Sequence, residues 1–303
     1  MIDFKPIRPE HKSIYQPYLL DGIERGCEYS FSNLCLWGRQ NATILHDHMV
    51  LFSQFNRRSV YPYPVGSGDK KPVLDAIIAD AKERGIPCRL TSLNAKAKQT
   101  LETLYPGMFR FHCDRDSFDY VYNIDDLADL PGRKYQKKRN HCNRFRTDYP
   151  DYTVKPLKED SITQIQEMVN AWYDAKEQEN PESDFLMERT ALNKALKYYR
   201  ELEMDGLVLL NGDEILAITM GSRLSPDTYD IQFEKAWGDV NGAYAIINYE
   251  FARYLREKYP NLRYLDREED MGIEGLRIAK ERYFPNHMIE KCWAHLMEDG
   301  YDY

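Results

Sequence analysis

Apolar residues recur along this chain in two different periods. Steps of three and four near 9–22, 70–84, 94–105, 159–178, 187–204 and 241–258 predict amphipathic helices. In the last of these, Ala243, Ile246, Ile247, Phe251, Tyr254 and Leu255 share one face. Shorter apolar or alternating runs predict strands near 41–46, 48–55, 58–64, 87–92, 109–113, 118–123, 206–211, 214–223, 228–237, 262–265 and 287–297. The clearest stretch is 206–230, where GLVLL, a turn at Asn211-Gly212-Asp213, EILAITMGSRL and a turn at Ser225-Pro226-Asp227 lead into TYDIQFEKAW. Two hairpins in succession predict antiparallel strands.

One arrangement occurs twice. RRSVYPYPVG enters Gly66-Ser67-Gly68-Asp69, a helix from Pro72 to Arg84, and then the strand around CRLTSL. TYDIQFEKAW enters Gly238-Asp239-Val240-Asn241-Gly242, the helix from Ala243 to Lys258, and then LRYLD. Strand, glycine loop, helix and strand after a meander is the order of a GNAT-type acyltransferase core, in which loop amides and a helix N-terminus hold a phosphate-bearing donor. The expected fold is therefore α/β (α+β) in two like domains, 1–125 and 151–303, with mixed, mostly antiparallel sheets flanked by helices and a basic connecting helix at 126–150. Gly66-Ser67-Gly68 lacks the third glycine of a dinucleotide fingerprint, and no P-loop pattern occurs. Either loop could also be a turn that merely lets a helix begin.

Composition narrows the function classes. The 303 residues are 43% hydrophobic and 30% charged, which suits a folded chain with a large core and excludes disorder and small disulfide scaffolds. A formal charge of -8 disfavours general binding to DNA or anionic membrane, so nucleic-acid contact needs a local basic patch. No apolar run has the ~18 residues of a membrane span, and the charged, Pro-containing start MIDFKPIRPE does not read as a signal peptide, so a cytoplasmic location is expected. The six cysteines are scattered without a CxxC pair and read as reduced thiols. His46-Asp47-His48, His112-Cys113 and His141-Cys142 lack partners at ligand spacing, so no metal is expected.

The basic patch lies at 131–150, where Arg133, Lys134, Lys137, Lys138, Arg139, Arg144 and Arg146 stand against Asp148. Lys134, Lys137, Lys138 and His141 fall at helical steps and would present cations to phosphates or a carboxylate; Tyr135, Asn140 and Asn143 add directional hydrogen bonds. The alternative is a solvated helix whose charges pair with Asp125, Asp126 and Asp129.

GRKYQKKRNHCNRF, DIQFEKA and REEDMGIEGLRIAKERYFP resemble the soluble C-terminal domain of the bacterial phosphatidylglycerol lysyltransferases and its stand-alone relatives, most specifically over GLRIAKERYFP from Gly275 to Pro285. The resemblance runs over most of the chain. It implies two fused GNAT folds, as in the Fem-type peptidyltransferases, and transfer of an aminoacyl group from charged tRNA to a lipid head group. The multi-helix membrane portion of the lysyltransferases has no counterpart, and Lys291-Cys292-Trp293 stands where they tend to carry an Arg-Tyr pair.

Acyl transfer needs a proton acceptor, donors for the oxyanion and a cradle for phosphates. Glu234, on the strand before the second glycine loop, is the candidate general base; otherwise it pairs with Lys235 or Arg223. Lys280 matches the segment in which Fem-like transferases hold a lysine against charge on the donor ester, and Arg277, one turn earlier, would clamp a phosphate or carboxylate. Asp270 reads as a helix cap or as the partner of a substrate ammonium, and Tyr244 as a proton donor to the leaving group or as packing. Gly238, Asn241, Gly242, Arg133, Lys134, Lys137, Lys138, Arg139 and Asn140 complete the expected substrate-binding set.

The expected activity is transfer from aminoacyl-tRNA, through its 3' end, or from acyl-CoA, to an amine or hydroxyl on a small molecule or lipid head group, with no tightly bound cofactor. The alternatives are a non-catalytic GNAT-fold module that binds an anionic metabolite or nucleotide, and a peripheral membrane protein attached through its basic helix.

Overall fold

The computed structural model describes residues 1–20, 26–38, 40–55, 58–181 and 185–297. The chain forms two compact units: Met1–Tyr120 with Glu268–Ile278 and His287–Tyr303, and Val121–Arg267 with Ala279–Asn286. Both have a mostly antiparallel sheet flanked by helices.

In the first unit the strands run in the order Lys5–Pro6, Gln40–Leu45, His48–Phe55, Arg58–Pro62, Arg89–Leu93, Cys292–Leu296, Phe109–Cys113. The parallel pair is Arg58–Pro62 with Arg89–Leu93, joined by the helix Lys70–Arg84. That helix starts where the Asp69 side chain accepts the Lys71 N–H at 3.0 Å and stops at Gly85, which takes the left-handed conformation that a Cβ disfavours. Val73, Leu74 and Ile77 on its inner face pack with Val50, Phe52, Tyr61 and Leu90 of the sheet.

Cys113 and Cys292 are opposite each other on neighbouring antiparallel strands and form a disulfide, which corrects the expectation of six reduced thiols. The pairing was hidden because the two cysteines are 179 residues apart and meet only when the C-terminal strand enters this sheet.

In the second unit the meander Asp205–Asn211, Glu214–Arg223 and Thr228–Ala236 forms as its turns predict. Tyr152–Pro156 flanks it on one side, and Tyr264–Asp266 runs parallel to Thr228–Ala236 on the other. The helix Ala243–Lys258 joins this parallel pair and buries Ala243, Ile246, Ile247, Phe251 and Leu255. Each unit thus repeats strand, glycine loop, helix and parallel strand, the duplication visible in the sequence.

Several boundaries differ. The 287–297 run divides into His287–Ile289 and Cys292–Leu296, and the helix expected at 187–204 is Leu186–Lys197. The first helical segment comprises Pro9–His11 and Lys12–Leu20, and positions 21 and 22 lie outside the described residues. Phe31–Leu36 and Ile124–Asp129 are helices too short to show a period. The basic helix is Gln136–Asp148. Ahead of it Leu130 and Gly132 have positive φ, and Arg139 reaches back to both their carbonyls, at 2.6 Å for Gly132. No helix among the described residues is long and apolar enough to cross a membrane.

Candidate active site

The strand Thr228–Ala236 sets Glu234 opposite Thr219 on the neighbouring strand. One carboxylate oxygen of Glu234 accepts Arg267 Nη2–H at 3.0 Å, and the other accepts Asn248 Nδ2–H at 3.3 Å. Arg267 directly follows the strand Tyr264–Asp266, and Asn248 lies on the buried face of Ala243–Lys258. The parallel βαβ crossover therefore assembles the carboxylate and both of its partners. Lys235, on the opposite face of the strand, pairs with Glu188 at 2.7 Å, and Arg223 binds the carbonyls of Ser225 and Pro226. The partner of Glu234 is thus neither of the cations expected from the sequence.

Lys280 is buried and donates through Nζ to the carbonyl of Arg267, while its own carbonyl accepts the Tyr122 hydroxyl at 2.8 Å. Arg267 therefore joins Glu234 through its side chain and Lys280 through its backbone. Tyr122 and Tyr283 provide an aromatic floor, with the guanidinium 5.8 Å and 5.0 Å from their ring centres. The Tyr135 hydroxyl donates to the Tyr283 carbonyl at 2.9 Å and fixes that segment.

Lys138 enters the same group from the basic helix, its Nζ 3.4 Å from the centre of the Tyr283 ring. Burial lowers its pKa to about 8, and the positive charges of Arg267 and Arg282 add to the shift against the pull of Glu234. Among the described residues, Arg267 Nη1, Asn248 Oδ1 and Thr219 Oγ1 are buried without a hydrogen-bond partner. Buried polar atoms are nearly always paired. This set offers a charged donor, a carbonyl acceptor and a hydroxyl to a bound polar group.

The second glycine loop is backed by the basic helix. Gly242 has φ +85°, and a Cβ there would lie 2.6 Å from the His141 carbonyl oxygen and 3.0 Å from Phe145 Cβ. Only glycine lets the loop enter Ala243–Lys258 at this separation. Gly238, Asn241 and Tyr244 are exposed around this turn.

The expected cationic face divides. Lys134 precedes the helix and pairs with Asp126 at 3.3 Å, and Arg139 braces the preceding turn. Arg133, Lys137 and Asn140 are exposed, and Lys138 is directed to Tyr283.

Asp270 and Arg277 belong to the first unit and bind each other, through Arg277 Nε to Asp270 Oδ2 at 2.8 Å and Nη2 to Oδ1 at 2.9 Å. Arg277 also reaches Asp116 at 2.6 Å, and Asp270 accepts the Tyr120 hydroxyl at 2.5 Å. Arg277 holds the Asp270 carboxyl well below its ordinary range. Arg277 and Lys280, one turn apart in sequence, thus have different partners. Sequence reasoning missed Arg267, Asn248, Tyr122 and Tyr283; the only available signal was that Arg267 and Tyr283 lie inside the segment that carries the family resemblance.

A second charged group in the first unit surrounds Lys291, whose Nζ meets Asp119 at 2.7 Å, Glu269 at 3.1 Å, Glu28 at 3.2 Å and Cys27 Sγ at 3.5 Å. Burial pushes Asp119 up to about 7 despite Lys291; burial would also raise Glu269, but Lys291 outweighs it and lowers Glu269 to about 2. Cys27, Asp119 and Glu269 place ligand-type atoms within 4.8 Å of one another, with the Lys291 ammonium in contact with all three.

Comparison with known proteins yields a match to the family model described as phosphatidylglycerol lysyltransferase, C-terminal, over residues 23–295. An uncharacterised protein of Mycoplasmoides gallisepticum is 27% identical over 180 residues, 58% of this chain and 55% of that protein, so the chain spans about half the length of the curated relative it matches. A solved structure of a conserved protein of unknown function from Bacteroides thetaiotaomicron is 36% identical with TM-score 0.93, covering 98% of this chain and 100% of the other. L-PGS from Bacillus licheniformis is 14% identical with TM-score 0.70 over 98% and 94% of the two chains. The fold is further shared with FemX, at 11% identity and TM-score 0.62 over 98% of each chain, and with a tandem GNAT protein from the clavulanic acid biosynthesis pathway, at 6% identity and TM-score 0.51 over 98% and 99%.

Proposed function

The chain belongs to the phosphatidylglycerol lysyltransferase C-terminal family, and we propose that Glu234, Arg267 and Lys280 of its second unit carry acyl or aminoacyl transfer to an amine or hydroxyl. Family and fold support a GNAT-like transferase in general; the residue roles, donor and acceptor are our reading. The observation that carries it is the meeting of a largely buried carboxylate and a buried lysine at one arginine, beside unpartnered polar atoms that suit a ligand.

In this reading the nucleophile attacks the carbonyl carbon of the donor ester or thioester. Negative charge then develops on the carbonyl oxygen, where Arg267 Nη1–H and the Lys280 ammonium act as fixed donors. Glu234, paired with Arg267 and oriented by Asn248, takes the proton of the attacking N–H or O–H as that atom bonds to the carbonyl carbon. The carbon–oxygen or carbon–sulfur bond then breaks, and the leaving oxygen or sulfur takes up that proton to depart as a ribose hydroxyl or a thiol. The exposed Arg133 and Lys137, with the amides of the Gly238–Gly242 loop, take the donor's phosphates, on either the 3' end of tRNA or CoA.

Purified protein incubated with charged tRNAs or with acetyl-CoA, each with amine, hydroxyl and lipid-head-group acceptors, tests this reading. Loss of the aminoacyl ester or release of thiol is expected with one donor class. Glu234→Gln and Lys280→Ala should each lower the rate at least ~100-fold, the scale of losing one charge-stabilising group. Silence with both donors would leave a binding module that keeps the fold, and full activity in both variants would overturn the roles given to Glu234 and Lys280.

A further inference from the structure

We propose that one face of the first unit's sheet is a docking surface for an unpaired RNA strand, with Trp293 and His295 as the platform on which bases stack and Arg58, Arg89 and Arg110 as the cations that hold its phosphates. The proposal does not rest on the transferase reading, because every residue of this face lies in the first unit.

Strand register places these side chains together. His295 is opposite Arg89 on one neighbouring strand and Arg110 on the other, and Trp293 is opposite His112. Successive side chains of a strand alternate between faces, and the alternate residues Leu90, Ala294 and Leu296 belong to the core that also holds Leu74 of the helix Lys70–Arg84 and Leu101 of the helix Ala95–Leu104. Those helices therefore pack behind the proposed surface. Arg58 joins it from the next strand: Tyr61 is opposite Leu90 in the core, so Arg58, three positions earlier, is on the other face.

Two observations point to a nucleic acid. The Trp293 and His295 rings stack with 12° between their planes and 6.0 Å between their centres, so a base that joins them meets a parallel ring. Every base has such a face, and only an unpaired strand has it free. Charge supplies the second observation. The chain carries a formal charge of -8, yet the neighbours whose charge acts most strongly on His295 are all basic: Arg89, His112, Arg110 and Arg58. Burial and these cations push the His295 pKa below its ordinary value, so its ring is mostly neutral at pH 7 and stacks as an aromatic. Arg58, Arg110 and His112 are exposed, and neither arginine forms an ion pair among the described residues. The paired rings favour RNA over an anionic membrane, whose head groups offer no ring to stack.

Fluorescence anisotropy of a labelled oligoadenylate of about 12 nucleotides, titrated with the full-length protein, tests this. Binding is expected, with log Kd rising against log salt at a slope of about 2, the value for three phosphate contacts on a single strand. Arg58→Gln/Arg110→Gln should lower that slope to about 0.7, leaving one contact, whereas Trp293→Ala should weaken binding about 5–150-fold with the slope unchanged. The two arginines are exposed, so their variant should keep the wild-type Tm and decides the matter even where Trp293→Ala fails to fold. Arg133→Gln/Lys137→Gln, in the second unit, should bind this RNA as the wild type does. No binding, equal affinity for a DNA duplex of the same length, loss of binding only in the Arg133/Lys137 variant, or attachment to phosphatidylglycerol vesicles in place of RNA would overturn the docking surface and leave the transferase reading to its own assay. A protein that binds this RNA through Arg58 and Arg110 but transfers no acyl group supports the docking surface and defeats the transferase reading alone.

Discussion

Arg267→Met tests whether the buried ion pair holds the second unit's site together. The side chains of Arg267 and Glu234 are only 15% and 11% exposed, so their attraction is not the weak, solvent-screened interaction of a surface pair. Removing the guanidinium leaves a desolvated carboxylate with Asn248 as its remaining hydrogen-bond partner among the described residues. Breaking such a pair from one side costs about 3–5 kcal/mol. At about 2–4 °C per kcal/mol for a unit of this size, Tm should fall by roughly 6–20 °C. Methionine fills most of the arginine stem's volume, so the loss reports charge more than cavity formation. A second variant isolates the cause. The double variant Glu234→Gln/Arg267→Met, which removes both charges, should recover most of the lost stability, because replacing a buried pair as a whole is often nearly neutral. Thermal and urea unfolding of the four proteins complete a double-mutant cycle. A loss under about 1 kcal/mol, the scale of an exposed pair, or a double variant as unstable as the sum of the two singles, would refute the buried-pair argument.

Three other outcomes are expected. Alkylation of the denatured, unreduced chain should label four cysteines, Cys27, Cys35, Cys88 and Cys142, and all six only after reduction; labelling of six without reductant would exclude the Cys113–Cys292 bridge. Reduction should also lower stability, by up to about 5 kcal/mol from loop entropy. Asp119 has a raised pKa of about 7, so it binds more protons folded than unfolded between pH ~4 and 7, and its contribution, present below ~4, is lost as pH rises through 7. Asp119→Asn should therefore flatten the decline in stability over that window, and urea midpoints at pH 5 and 7.5 that shift in parallel with the wild type would contradict this. Gly242→Ala should cost about 2–4 kcal/mol, since its Cβ would meet the His141 carbonyl at 2.6 Å, whereas Gly85→Ala, with nothing within 4 Å, should cost only about 1 kcal/mol for its positive φ; equal losses in chemical unfolding would mean that contact with the basic helix is unimportant.

Local pattern carried the fold a long way. The turns at 211–213 and 225–227 and the two strand–loop–helix–strand runs are written in neighbouring residues, so the meander and both parallel crossovers follow from periodicity and turn chemistry. Strand order is not a local property. Nothing near Cys292 in sequence indicates that its strand enters beside Phe109–Cys113, and the disulfide was invisible for that reason. The site shows the same division. Glu234 stood out as an acid on the strand ahead of a glycine loop, but its partner was sought among neighbours in sequence, whereas Arg267 reaches it from the parallel strand.

Runs of charge misled most where the chain changes company. The acidic stretch around Arg267 reads as one loop, yet Arg267 closes a segment of the second unit while Glu268, Glu269 and Asp270 belong to the first. Arg277 and Lys280, one helical turn apart, similarly fall on opposite sides of a boundary after Ile278. Spacing along a helix specifies direction, not partner: Arg277 is held by Asp270 and Asp116, and Lys280 by the Arg267 carbonyl. In the basic helix the same distinction separates Lys137 from Lys138, adjacent residues of one type. Lys137 is exposed, whereas Lys138 lies over the Tyr283 ring, where burial and the charges of Arg267 and Arg282 lower its pKa. Charge density located the helix, but only the packing of Tyr283 singles out the lysine in it whose chemistry is changed.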